Sequence, residues 1–139
     1  MLDTELVALS KYRRERAEEM LKTAKRDLAA GDYASANNRA YYCIFHAMRA
    51  TIALTGEDYK KHSGVISRFS EQYLKSNLLP RELSKTISTA SVIRNRSDYE
   101  DFYVCSVEDT HLLLDGAEAF LMIVKDYLMT QWENYTLNE

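Results

Sequence analysis

Apolar residues recur three or four positions apart along almost the whole chain, with polar residues between them, and no stretch keeps the strict alternation of a half-buried strand. The first helix is expected from about Thr4 to Ala30, with the stripe Ala17, Leu21, Ala24 and Leu28. Gly31 suits the position just past a helix end, and Asp32 suits an N-cap. The chain should therefore turn back, with the second helix antiparallel to the first. That helix is expected from about Tyr33 to Thr55, with Ala36, Ala40, Ile44, Ala47 and Leu54 as a seam narrow enough for close approach. A shorter helix is expected from Ser63 to Ser76, and a fourth from Pro80 to near Asp101. Pro80 fits a first helical position. Ser106 with Asp109 resembles a capping box opening a last helix, Val107 to Trp132. Leu113, Ala117, Phe120, Val124 and Tyr127 form its core stripe, and Leu112, Ala119 and Ile123 give it a second apolar side. Residues 133–139 are expected to fray. The fold class is all-α: a single domain over 1–139, built as an antiparallel bundle of four main helices plus one shorter helix.

Composition narrows the function classes. The 139 residues suit one domain with a sizeable core, and 4 Gly with 1 Pro leave few breaks. A net charge of -3 gives no bulk attraction to nucleic acid or membrane, although a local basic patch stays open. The start, Met1 to Glu5, carries no secretory signal pattern. The most apolar run, Leu112 to Tyr127, is broken by Asp115, Glu118 and Lys125, so no membrane span is expected and a cytoplasmic location is. Cys43 and Cys105 lie in helical or helix-edge patterns and are expected as free thiols. His46, His62 and His111 show no metal-ligand spacing, and glycine-rich phosphate loops and serine elbows are absent, so neither a metal nor a cofactor is expected.

Two features depart from a plain bundle. The apolar stripe of the fourth helix, Leu83, Ile87 and Ala90, continues at helical spacing into Arg94 and then Asp98. A charge aimed at a core needs partners, so this is either a structural ion pair or a functional site. On the second helix, Asn38, Tyr42, His46 and Arg49 recur as one polar and aromatic stripe, which either packs half-buried or lines a groove for a phosphate or another chain. The run Lys11 to Arg16 could touch phosphates, although a solvated helix face is the plainer reading. The Ala30-Gly31-Asp32-Tyr33 turn resembles a tetratricopeptide hairpin, but no second copy follows at the period such arrays need.

Three segments together carry a more specific resemblance: Asn38 to Ala47 with its Tyr41-Tyr42 and Phe45-His46 pairs, Lys61-His62-Ser63-Gly64-Val65, and Arg94-Asn95 with Asp98-Tyr99. In this order they resemble the small prokaryotic HEPN domains. The resemblance implies an all-α bundle, a homodimer, and a place in a toxin–antitoxin-like pair, often beside a minimal nucleotidyltransferase. The resemblance further implies that active members are metal-independent endoribonucleases whose signature is an Arg followed after several residues by a His, often Arg-Asn-x-x-x-His, contributed by each subunit to a shared cleft. By that resemblance Arg94, Asn95, Asp98 and Tyr99 are the candidate catalytic set. Asn38, Tyr42, His46, Arg49 and His62 are candidates for holding a nucleotide or RNA phosphate. The signature histidine is replaced here by Tyr99. A phenol with a pKa of about 10 is a poor base near neutrality. The departure weighs against ribonuclease chemistry and toward a nucleotide-binding or partner-binding module, with a non-catalytic helical interaction module or an antitoxin-like partner of a nucleotidyltransferase as the alternative.

Overall fold

The computed structural model describes residues 3–137. Its helices are α1 (Asp3–Ala29), α2 (Tyr33–Ala53), α3 (His62–Phe69), α4 (Leu83–Tyr99) and α5 (Val107–Leu137). A π-helical turn, Ser70–Leu74, continues α3. There is no strand among the described residues, and the chain is the all-α bundle that the periodicity predicts. None of these helices is long and apolar enough to cross a membrane.

The α1–α2 hairpin is the largest helix pair. Gly31 takes the left-handed conformation (φ 79°) that closes α1. The Asp32 N–H reaches back to the Asp27 carbonyl at 2.9 Å, and the Asp32 carboxylate accepts from the Ser35 N–H at 3.2 Å. Ala17, Ala24, Ala36, Ala40 and Ala47 are fully buried. Their small side chains let the two backbones approach closely. α5 packs on both helices and fills the centre with Phe120, Val124 and Leu128. A buried polar bridge ties three helices at one end: Trp132 Nε1 donates to Ser10 Oγ at 2.9 Å, and that hydroxyl donates to the Ala50 carbonyl at 2.7 Å. Cys43 and Cys105 are free and buried, and burial pushes the Cys43 thiol up to about 12.

Two helix boundaries and one buried stripe differ from the sequence expectation. α4 proper begins at Leu83, because the N–H groups of Leu83, Ser84 and Lys85 bond carbonyls three residues back and make a tighter lead-in turn after Pro80. α5 runs on through Leu137, and the Tyr135 hydroxyl ties it to the Leu54 carbonyl at 2.7 Å. Of the tail expected to fray, 138–139 lie outside the described residues. The buried stripe of α4 is Leu83, Ile87, Ala90 and Ile93, so its last step falls one residue before Arg94. Arg94 is thereby placed at the edge of the core, its side chain 27% exposed.

Candidate functional site

The site is assembled by the loop between α2 and α3. Glu57 grips Arg68 with both carboxylate oxygens at 2.8 Å and accepts the Tyr59 hydroxyl at 2.5 Å. The Tyr59 ring lies against Gly64, where a Cβ would stand 3.2 Å from Cδ1 of that ring. The glycine in Lys61-His62-Ser63-Gly64 thus lets the loop fold tightly over the start of α3 and fixes where His62 emerges.

His62 stacks on Phe45 of α2, ring centroids 4.0 Å apart, with Tyr41 also near-parallel to it at 5.7 Å. The Tyr41 hydroxyl lies 2.8 Å from His62 Nδ1, and Nη1 of Arg94 lies 3.3 Å from the same nitrogen. Arg94 also stands over the Tyr41 ring at 4.8 Å and the Tyr42 ring at 5.7 Å. Its Nε faces Asp98 at 3.7 Å, beyond hydrogen-bond reach, and makes no hydrogen bond. A guanidinium has no acceptor, so Nδ1 must accept, and the ring proton of neutral His62 sits on Nε2. Burial, then the charges of Arg94 and Arg49, hold His62 below its ordinary pKa and favour this neutral form. Burial likewise raises the Tyr41 hydroxyl, keeping it protonated.

The same face of α2 continues into a second cluster. Arg13 of α1 is 6% exposed. It donates to the Arg49 carbonyl at 3.2 Å and meets Asp58 at 3.4 Å. Arg49 faces the same Asp58 oxygen at 3.6 Å and stands over Phe45 at 5.8 Å. His46 lies beside Phe45 and Tyr42, with Nδ1 buried and unbonded. Burial, then the charges of Arg16, Arg49 and Arg13, lower its pKa to about 4, so it is neutral near pH 7.

Of the residues singled out from the sequence, Tyr42, His46, Arg49, His62, Arg94 and Asp98 converge on this face. Asn38 is half-buried on α2 and makes no hydrogen bond or ion pair among the described residues. Asn95 is exposed, and Tyr99 is 83% exposed. Tyr41, Phe45, Arg13 and Asp58 join the site without having been among the candidate site residues. The Tyr41-Tyr42 pair is visible in the sequence, but which of the two reaches His62 depends on the placement of α3. Arg13 corrects the reading of its segment as a solvated face, since it is buried, and Arg14 beside it is half-buried over the Trp132 ring. Among the described residues no three His, Cys, Asp or Glu side chains are placed to hold a metal ion.

Fold and site together define a helical bundle with a junction rich in N–H donors, set against an aromatic wall and short of carboxylates. This is an arrangement suited to an anionic ligand. The family model described as "HEPN domain" matches residues 10–127, and the chain belongs to that family. It is 30% identical over 128 residues to "Putative toxin MJ0142" of Methanocaldococcus jannaschii, covering 87% of this chain and 86% of the relative. It is 33% identical over 110 residues to a "UPF0332 protein" of Thermotoga maritima, covering 79% and 83% of the two chains.

Proposed function

We propose that this protein is the HEPN component of a toxin–antitoxin-like pair and binds RNA, or the phosphate of a nucleotide, at the junction of α2, α3 and α4. One observation carries this reading: Arg94 and Tyr41 converge on a single nitrogen of His62. That leaves a guanidinium and an imidazole Nε2–H as the groups the junction offers a ligand. Guanidinium and imidazole N–H donors of this kind recognise a phosphate. Metal-free RNA cleavage also needs a proton acceptor for the 2′-hydroxyl. Nδ1 of His62 is engaged, Tyr41 is held protonated, Tyr99 is largely exposed, and the Asp98 carboxylate faces the Arg94 guanidinium, so binding rather than cleavage is the activity proposed. The relative named as a toxin supports the setting.

The functional unit is proposed to be a homodimer. Support comes from the second apolar side of α5, where Leu112 is 67% exposed and Ala119 is exposed, while Ile123 packs partly against the core. A monomer by light scattering at micromolar concentration overturns that part. The test of the site is fluorescence anisotropy with a labelled single-stranded RNA. The wild type binds, and Arg94→Ala loses binding while melting nearly as the wild type does. A wild-type protein that binds neither RNA nor nucleotide overturns the proposal.

A second reading has the domain serve mainly as a docking partner for a minimal nucleotidyltransferase. Its support is the tip between α4 and α5, where Phe102 and Val104 are fully or largely exposed beside Tyr99.

A further inference from the structure

The Arg13–Arg49–Asp58 cluster is out of balance as an ion-pair network. Two guanidiniums share one oxygen of one carboxylate, at 3.4 and 3.6 Å. Arg13 is nine-tenths buried, whereas the Asp58 side chain is 66% exposed. Long contacts to an exposed carboxylate stabilise little, while a buried cation left short of negative charge is costly. The pKa of Arg13 is lowered by its burial and then by Arg49, and Asp58 opposes this only in part. Arg49 Nε is buried with no hydrogen-bond partner. His46, next to both, is neutral and cannot add to the excess positive charge or offset it.

A purely structural bridge would seat its carboxylate deeper. Asp58 instead belongs to the exposed end of the 57–61 loop, with its Oδ1 also taking the Tyr59 backbone N–H at 3.0 Å. It covers Arg13 from the solvent side with weak contacts. Moving it would open two guanidinium groups and an unbonded Nε to an incoming anion. This cluster adjoins the Arg94–His62 junction, because Arg49 stands over the same Phe45 ring on which His62 stacks.

We infer that Arg13 and Arg49 form a second phosphate subsite, held closed in the free protein by the carboxylate of Asp58. The inference rests on the RNA-binding reading above and extends it. A strand seated at Arg94 places a neighbouring phosphodiester at Arg49 and displaces Asp58, so the loop carboxylate competes with the ligand. A mononucleotide fills one subsite and leaves Asp58 in place.

The test measures anisotropy of a labelled single-stranded RNA against the full chain and its Asp58→Asn, Arg49→Gln and Arg94→Ala variants, as a function of salt. Adenosine monophosphate, followed by calorimetry, is the single-phosphate probe. Asp58→Asn should bind the RNA about fivefold tighter at low salt, the scale of one weak surface ion pair removed. It should leave mononucleotide affinity unchanged. Arg49→Gln should lower the slope of log affinity against log salt by about 0.7, the value for one single-strand phosphate contact. Equal RNA affinity and slope in Arg49→Gln, or RNA binding by Asp58→Asn no tighter than wild type, overturns the subsite. If Arg94→Ala alone abolishes binding, the junction site stands without the subsite. If Arg49→Gln and Asp58→Asn shift binding while Arg94→Ala does not, the subsite stands and the junction falls. Absence of binding in wild type and Asp58→Asn alike overturns both. Urea melts of each variant separate loss of folding from loss of contact.

Discussion

Nη1 of Arg94 lies 3.3 Å from Nδ1 of His62, although 32 residues separate the two in the chain. Arg94 is held by this contact, by two aromatic faces and by a distant Asp98, and it remains partly open to solvent. It is therefore an edge residue with an exposed cation and not the buried half of a core ion pair.

Arg94→Ala should accordingly cost about 1 kcal/mol of stability, the sum expected for an exposed ion pair and a partly solvated cation–π contact. Urea denaturation checks it. A loss of about 3–5 kcal/mol, the scale for breaking a buried pair, would make Arg94 a structural keystone instead.

Acid should destabilise the fold in part through His46. Its folded pKa of about 4 lies below the ordinary 6.5. As pH falls below 6.5 the unfolded chain takes the proton first, so the contribution present above 6.5 is progressively lost until pH approaches 4. The lowered pKa of His62 acts with the same sign. His46→Leu should flatten the decline in stability between pH 6.5 and 4 without removing it. Urea melts at intervals across that range measure the slope, and an unchanged slope counts against a neutral His46.

Gly64→Ala separates positioning from stability. The added methyl meets Tyr59 Cδ1 at 3.2 Å and Tyr59 Cβ at 3.3 Å, tighter than ordinary packing, and Tyr59 must shift with its loop. The expected loss of stability is about 1–2 kcal/mol, at the scale of mild overpacking. RNA affinity should fall further than that loss explains, because the same loop carries Asp58 and sets His62. Anisotropy alongside urea melts reads the two effects separately.

Phe102 combines a left-handed backbone (φ 63°) with a side chain in full contact with solvent. For an aromatic residue that conformation costs about 1–2 kcal/mol, and glycine relieves it at an entropic cost of about 0.5–1 kcal/mol. Phe102→Gly should raise stability by about 0.5–1 kcal/mol, because no packing is lost. Pull-down with a nucleotidyltransferase partner tests whether the ring serves docking: loss of capture in a more stable variant favours that reading.

The helices were legible because each carries its own stripe, and the α1–α2 turn because Gly31 and Asp32 act locally. The start of α4 was less so, since Pro80 fits a first helical position as well as it fits the tight turn it in fact opens. The misplacement of Arg94 has a geometric source. After Ala90 the stripe can step three residues or four, and the fold takes Ile93. The HEPN membership was readable from three short segments taken in order. What bonds His62 was not, because Tyr41 and Arg94 reach it from 21 and 32 residues away. Arg13 was hidden for the same kind of reason: within a run of charged residues nothing local shows which one turns inward.

The Arg94–His62 junction also sets an order of assembly. α1, α2 and the loop to His62 supply the aromatic wall, both subsite arginines and the guarding carboxylate from the first half of the chain, whereas the junction's own guanidinium comes only with α4. On the ribosome, a nascent or prematurely terminated product would carry the wall and lack its cation. Completion of that junction thus waits on synthesis through α4, about two-thirds of the chain.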